Sequence, residues 1–202
     1  MNKGQIRAHF KALLNRSDCP DPLADTFIEQ ATTRVQRVLR TPAQEAQQTY
    51  TITGLTSSVT IPNNLLEIIS VYMDGTALTR IPHHEMIQAQ KTGEQGVPRL
   101  MCRQQGQILL HPQPTTGTVY LDYYAEFPPL ATDADSNALT AIASDILTYT
   151  ALSYAADYFM DERASLFEQK SGQFTAELQE QSNAAEQSGI NQVMRPTVVY
   201  GE

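Results

Sequence analysis

FPPLATDADSNALTAIASDILTYTALSYAADYFMDERASLFEQKSGQFTAELQEQSNAAEQ, residues 127–187, decides the fold. It predicts two successive helices with different faces. In the first, from Asn137 to Phe159, the residues Leu139, Ile142, Ile146, Leu147, Tyr149, Leu152, Tyr154, Tyr158 and Phe159 spread around most of the circumference. A helix that is apolar on several sides must be buried on several sides. In the second, from Asp161 onward, the apolar positions shrink to Ala164, Phe167, Phe174, Leu178 and Ala185, a narrow seam against one partner. A wrapped helix followed by a long, mostly polar one suits a packed ring or bundle better than an active-site scaffold. The first helix carries more apolar circumference than one four-helix core needs. Ile142, Ile146, Tyr149, Tyr154 and Tyr158 are therefore expected to meet a neighbouring subunit.

Working backward, the N-terminal third is helical. Ile6, Phe10, Leu13 and Leu14 mark a helix from Gly4 to Arg16, which Asp18, Cys19 and Pro20 break. Asp21 and Pro22 are expected to open a second helix as N-cap and first-turn proline. Its apolar face is Ala24, Phe27, Ile28, Ala31, Val35 and Val38, and Arg34, Arg37 and Arg40 complement the dipole near its end. Thr41-Pro42 closes it.

Between Gln48 and Phe127 the character changes. TYTITG and SVTIP are short β-rich runs, and LEIISVYMDGTALTRI is a hairpin turning at Asp74-Gly75. Pro82 to Lys91 forms a short helix, and RLMCRQQGQILLHP is a second hairpin turning near Gln105-Gly106. TVYLDYYAEF is the clearest strand: Val119, Leu121, Tyr123 and Ala125 alternate with Tyr120, Asp122, Tyr124 and Glu126. Grouped helices and grouped strands argue α+β. The expected architecture is a four-helix bundle (residues 1–45 and 129–188), an inserted antiparallel β-rich domain (46–128) and an extended C-terminal arm (189–202).

Composition narrows the function. A chain of 202 residues with 41% hydrophobic and 18% charged residues is an ordinary folded protein. No apolar run approaches the roughly 20 residues of a membrane span, and the N-terminus does not read as a signal peptide. Two cysteines make no disulfide framework, which points to a reducing setting. The net charge of −8 is uneven: residues 1–40 hold seven Lys/Arg against four Asp/Glu, residues 129–202 three against eleven. Without a basic patch the chain is not a tight DNA binder.

Candidate chemistry is sparse. His83-His84 beside Glu85 points in diverging directions on a helix, about 100° apart, and suits a solvated helix start better than a metal. His9 and His111 have no evident partners. Cys19 and Cys102 stand alone, as half-buried structural thiols do. Asp133, Asp135, Asp145, Asp157, Asp161, Glu162 and Glu168 match no calcium loop, and Asp133 and Asp135 suit a helix N-terminus. No nucleotide loop, nucleophile elbow or zinc-protease motif is present. The chain is expected to be no enzyme and to need no metal or cofactor.

Four elements, in order, carry a resemblance. They are ISVYMDGTALTRIPHHEMI; GVPRLMCRQQGQILLHPQPTTGTVYLDYYAEFPPL; the Asn137-Ala-Leu opening after an acidic loop; and ALSYAADYFMDERASLFEQKSGQFTAEL. Over Leu23 to Gln187 the chain resembles the head–tail adaptor (connector) proteins of tailed bacteriophages. The resemblance implies a structural protein of the virion neck, made in the host cytoplasm. Its ring, typically of twelve copies, lies beneath the portal, extends the DNA channel and docks a tail-nozzle or tail-tube protein. DNA passes without specific binding, and no membrane is involved. A tail stopper or completion protein, or a non-viral protein-binding module of the same architecture, is the alternative. In such a ring the acidic surplus would line the channel, with Asp157, Glu162, Glu168, Glu177 and Glu180 as candidates. The segment SGINQVMRPTVVYGE is too apolar for a solvating tail. Val193, Arg195, Pro196, Val198, Val199 and Tyr200 are expected to dock on the portal or a neighbour by strand addition.

Overall fold

The computed structural model describes residues 1–187. Helix α1 (Lys3–Leu14) opens on a capping box. Asn2 Oδ1 accepts from the Gln5 N–H at 2.8 Å, and Gln5 Oε1 accepts from the Asn2 N–H at 3.0 Å. Its buried stripe, Lys3, Ile6, Phe10 and Leu14, has the three- and four-residue spacing of one helix face. The helix stops at Asn15, whose left-handed backbone (φ 53°) suits a C-terminal asparagine.

Helix α2 (Asp21–Val38) departs from expectation at both ends. Pro20 occupies the N-cap position, and Asp21 is already helical, its carboxylate accepting from Lys11 Nζ at 2.6 Å. The side chain expected to cap α2 is committed to α1. At the far end Val38 is exposed, and the chain turns so that Leu39 fills the core in its place. Arg40 lies past the helix, where its guanidinium donates to the carbonyls of Gln36 (3.1 Å) and Leu39 (2.7 Å). It terminates the helix as a cation does, though from outside it. Thr41 then caps a short 3-10 turn, Pro42–Gln44.

The inserted unit is two four-stranded sheets. The first orders β1 (Glu45–Ile52), β8 (Gly117–Ala125), β3 (Leu65–Met73) and β4 (Thr76–Ala77), all antiparallel. The second orders β2 (Ser58–Thr60), β7 (Gln107–His111), β6 (Leu100–Gln104) and β5 (Thr79–Arg80). Both predicted turns form. Asp74-Gly75 (φ 50° and 81°) and Gln105-Gly106 (φ 45° and 75°) have positive φ at both central positions, as a type I′ turn requires. One expectation fails: the arm after Asp74-Gly75 does not stay in its hairpin. It leaves after Ala77, and β5 joins the other sheet parallel to β6, so the unit is not wholly antiparallel. Leu78, buried at the crossover, drives the switch by packing between the sheets. Val71, Met73, Val119, Leu121 and Tyr123 from one sheet meet Met101, Ile108 and Leu110 from the other. Helix α3 (His83–Gln90) closes one side through Met86.

The predicted helix from Asn137 is two helices, α4 (Ala138–Ile142) and α5 (Ser144–Tyr158). Asn137 does cap the first, accepting from the Thr140 N–H at 2.9 Å. The break falls at Ala143 (φ −138°, ψ 36°), with neither proline nor glycine there to announce it. Helix α6 (Ala164–Gln187) follows. Helices α1, α2 and α6 all pack on α5. That explains a helix buried at Ile146, Leu147, Thr148, Thr150, Ala151, Leu152, Ser153, Ala155 and Ala156. The small residues among them let the backbones approach. On α6 the seam holds at Ala164, Phe167, Phe174 and Leu178, but Ala185 is exposed and Ser182 takes the buried position. Ser171 is buried in the same seam, its hydroxyl 2.6 Å from that of Thr150. The helical unit meets the sheets where the Phe127 N–H donates to Gln36 Oε1 (3.2 Å) and Arg40 pairs with Glu67 (2.9 Å).

Candidate docking surfaces

The apolar circumference of α5 is consumed inside the subunit. Of the five residues expected at a subunit contact, Ile146 is 1% exposed and lies in the subunit's own core, so it has no surface to offer a neighbour. Tyr149 is half-buried against α6, its ring centroid 5.5 Å from that of Phe174 and 6.3 Å from that of Phe167. Tyr154 is half-buried beside Arg34, 5.8 Å from the guanidinium. Only Ile142 (45% exposed) and Tyr158 (61%) are open. Ile142 ends α4 and Tyr158 ends α5, and the length of α5, roughly 22 Å at 1.5 Å per residue, lies between them, so they do not form one patch.

One of these ends is an apolar tip. Tyr158 packs edge-on to Phe27 and Phe159, and next to them Met160, in the left-handed region (φ 53°), is 93% exposed. Charged groups brace this tip from below. Arg163 donates to the carbonyls of Leu13 (3.3 Å) and Leu14 (3.0 Å), satisfying the end of α1, and to the Asp161 carboxylate at 2.7 Å. Arg16 lies 4.3 Å from the Phe159 ring centroid.

Hydrogen bonds from the Arg163 side chain and backbone hold the Asp161 carboxyl down to about 2, from an ordinary 3.8. A depressed carboxyl means that the unfolded chain binds more protons than the folded one between those values. Its contribution to stability is complete above about pH 4 and is lost as the pH falls through about 2. Arg163→Ala should flatten the dependence of melting temperature on pH in that window. Thermal melts of both proteins from pH 2 to 6 check this; parallel curves would refute it.

The acidic candidates do not share one line of surface. Core-facing Phe167, Ser171, Phe174 and Leu178 define the inner side of α6. At about 100° per residue, Glu168 and Glu177 flank that side from opposite directions and Glu180 points away from it. Glu168 is bound by Arg34, a hydrogen bond that lowers its carboxyl below the ordinary range. Glu177 accepts from Gln173 Nε2 at 2.8 Å. Asp157, Glu162 and Glu180 are exposed and make no ion pair among the described residues.

Asp133 and Asp135, expected at the following helix, serve α1 instead. Their carbonyls accept from the Gly4 N–H (3.0 Å) and the Lys3 N–H (2.9 Å). The Asp133 carboxylate and Asp25 both receive the Arg7 guanidinium. The spacing of these residues in the chain gave no hint of this three-way tie.

The sequence pattern of the SU10 adaptor protein family matches residues 1–199. The chain belongs to that family, one of phage head–tail adaptors. The match extends beyond both ends of the stretch, Leu23–Gln187, on which the resemblance rests. No curated protein matches the chain. The family is structural rather than enzymatic and places its members at the virion's head–tail junction, between portal and tail.

The outer face of the first sheet carries stacked Tyr72 and Tyr120 rings (5.0 Å, 14°), with Gln47 and Ser70 donating to Asp122 at 2.8 Å each. Sequence reasoning passed over this face because its residues are the polar half of an alternation. Cys19 and Cys102 are fully buried, not half-buried, and burial pushes the Cys19 thiol up. His111 is buried, its Nε2 3.8 Å from Glu94, while His84 and Glu85 are exposed. Among the described residues no His, Cys, Asp or Glu cluster is placed to hold a metal ion, and no helix is long and apolar enough to cross a membrane. Val193, Arg195, Pro196, Val198, Val199 and Tyr200, the expected docking arm, lie outside the described residues.

Proposed function

We propose that the chain assembles as a ring, of twelve copies, beneath the portal of a tailed phage. The ring lengthens the DNA channel and seats a tail-nozzle or tail-tube protein. The observation that carries this reading is the family match across nearly the whole chain. Ile142, Tyr158 and the open edges of Tyr149 and Tyr154 are its contacts between subunits, joined head to tail as a closed ring requires. Asp157, Glu162, Glu168, Glu177 and Glu180 give the channel side a negative field that keeps phosphates from sticking. On α6 itself Glu168, Glu177 and Glu180 point in different directions, so the field is the sum of the set and not one line of carboxylates. The arm residues Val193, Arg195, Pro196, Val198, Val199 and Tyr200 attach the subunit to the portal or to its neighbour.

Mixing the protein with portal rings at micromolar concentration should give a complex of ring mass by analytical ultracentrifugation. Persistence of a free monomer in that mixture would end the proposal. Deleting residues 190–202 should leave the melting temperature of the subunit unchanged and reduce its co-sedimentation with portal rings. Undiminished co-sedimentation would show that the arm is not an attachment.

A further inference from the structure

The two sheets have four edges. Three are blunted by length: β4 and β5 have two residues each and β2 has three. Short edge strands are a common means of preventing unwanted pairing. The fourth edge, β1, has eight residues, Glu45–Ile52, and pairs on one side only, with β8. Among the described residues its one other backbone hydrogen bond is from the Glu45 N–H to the Pro42 carbonyl, and the one side-chain bond to it is from Gln48 Nε2 to the Thr49 carbonyl at 3.2 Å. It has no proline or lysine, and a single charge, at Glu45. Gln47, Gln48, Thr49 and Thr51 are exposed along it. β4 covers only Tyr72 and Met73 of β3, so residues 65–70 are a second open stretch, but two register irregularities interrupt it, as on a guarded edge. β1 is the long edge with unbroken register, the one suited to pairing.

We infer that β1 is the receiving edge for the C-terminal arm, residues 189–202, of a second copy of this chain, which adds to the first sheet as a fifth strand. The inference rests on the reading of the chain as a subunit of an assembly, and it names where the arm lands. The 14 residues of the arm reach about 46 Å when extended, ample for a strand of eight residues at roughly 3.3 Å each. The arm's Thr197, Val198, Val199 and Tyr200 suit a strand, and its proline is tolerated where one side faces solvent. Between Gly189 and Tyr200 its only charge is Arg195, opposite in sign to Glu45.

The end of α6 gives the reason for a second copy. Gln179 bonds both the N–H and the carbonyl of Arg40 (2.9 Å each), five positions before β1 begins. α6 runs on for eight residues past Gln179, so a subunit's own arm taking the shortest route meets β1 at Glu45 and runs parallel to it, in a sheet whose every pair is antiparallel. Parallel pairing is the less stable per residue. An arm from a neighbour can enter from the Ile52 end and continue the antiparallel order. Each copy then gives one arm and receives one, the head-to-tail relation that closes a ring.

The test mixes two full-length variants of different tagged mass, one Thr49→Cys and the other Val198→Cys or Val199→Cys, with portal rings under mild oxidation. Successive strand residues face opposite ways, so one of the two arm positions shares the face of Thr49. Cys19 and Cys102 are buried and give little background. The expected product is a disulfide between chains of different mass. Its absence from both pairings overturns the inference. A second sample carries Thr49→Cys and the arm cysteine in the same chain, and a cross-link formed only within one chain there overturns it as well. Ring mass without a cross-link would refute the inference while leaving the ring reading intact. Hydrogen exchange on the unmodified protein gives a second reading: alternate amides of β1 should exchange freely in the subunit and slow at least about tenfold on assembly, and unchanged rates overturn the inference as well.

Discussion

Leu152→Ala should lower the folding stability of the subunit by roughly 2–5 kcal/mol, the range for truncating a large buried side chain. Leu152 is 0% exposed near the middle of α5, the helix on which α1, α2 and α6 all pack. Close neighbours on three sides leave little freedom for the core to collapse into the space, and a cavity that cannot close is the costly kind. Against a typical total of about 5–15 kcal/mol, this is a large share. The control is Ile142→Ala on the preceding helix, where the side chain is already open to solvent; it should change stability by less than about 1 kcal/mol. Denaturant unfolding of the two variants checks both values. If Ile142 and Leu152 proved equally costly, α5 and α4 would not be buried as described. If Ile142→Ala weakened assembly while leaving folding intact, it would support Ile142 as a contact between subunits.

Arg7→Met should have the second largest effect, about 2–4 kcal/mol. The Arg7 guanidinium joins three separate parts of the chain: α1, which carries it; Asp25 of α2, at 2.6 and 3.0 Å; and Asp133 of the loop before α4. Its hydrogen bonds to Asp133 and Asp25 hold its proton more firmly than an ordinary arginine's. A hydrogen bond to a charged group contributes roughly 1.5–3 kcal/mol, and removing one partner leaves the other under-solvated. Asp133 is open to water and recovers much of its loss, whereas Asp25 is mostly covered and, among the described residues, keeps only the Lys3 ion pair at 3.4 Å. The expected total is therefore well below the sum of the separate bonds. Arg7→Lys should restore less than half, because an ammonium cannot form the paired bonds to two carboxylates. Thermal melts at low and at about 0.5 M salt test the assignment. An exposed ion pair would fade with salt, whereas this partly buried one should persist; a loss below about 0.5 kcal/mol would refute the role.

Where a residue's structural fate depends on its immediate neighbours, the sequence was enough. Alternation placed Val119, Leu121 and Tyr123 inward on β8, and Asp74-Gly75 and Gln105-Gly106 formed the turns their backbone freedom permits. The capping of α4 by Asn137 and the seam of α6 through Phe167, Phe174 and Leu178 were legible for the same reason. So was the burial of α5 on several sides, because periodicity reports how much of a helix is covered. It does not report by what. Three helices of the same subunit cover α5, and that single fact moved Ile146 from a contact with a neighbour to the core. Likewise, only the assembled fold decided that Asp21 would serve Lys11, that Asp133 would serve Arg7, and that the strand after Leu78 would cross to the other sheet. These outcomes join residues between 10 and 126 positions apart, or depend on space between layers. A pattern with a period of two or 3.6 residues carries no term for such distances. Whether a strand edge is long and open, as β1 is, follows from how many strands a sheet has gathered and how long each one is, which is a property of the finished sheet.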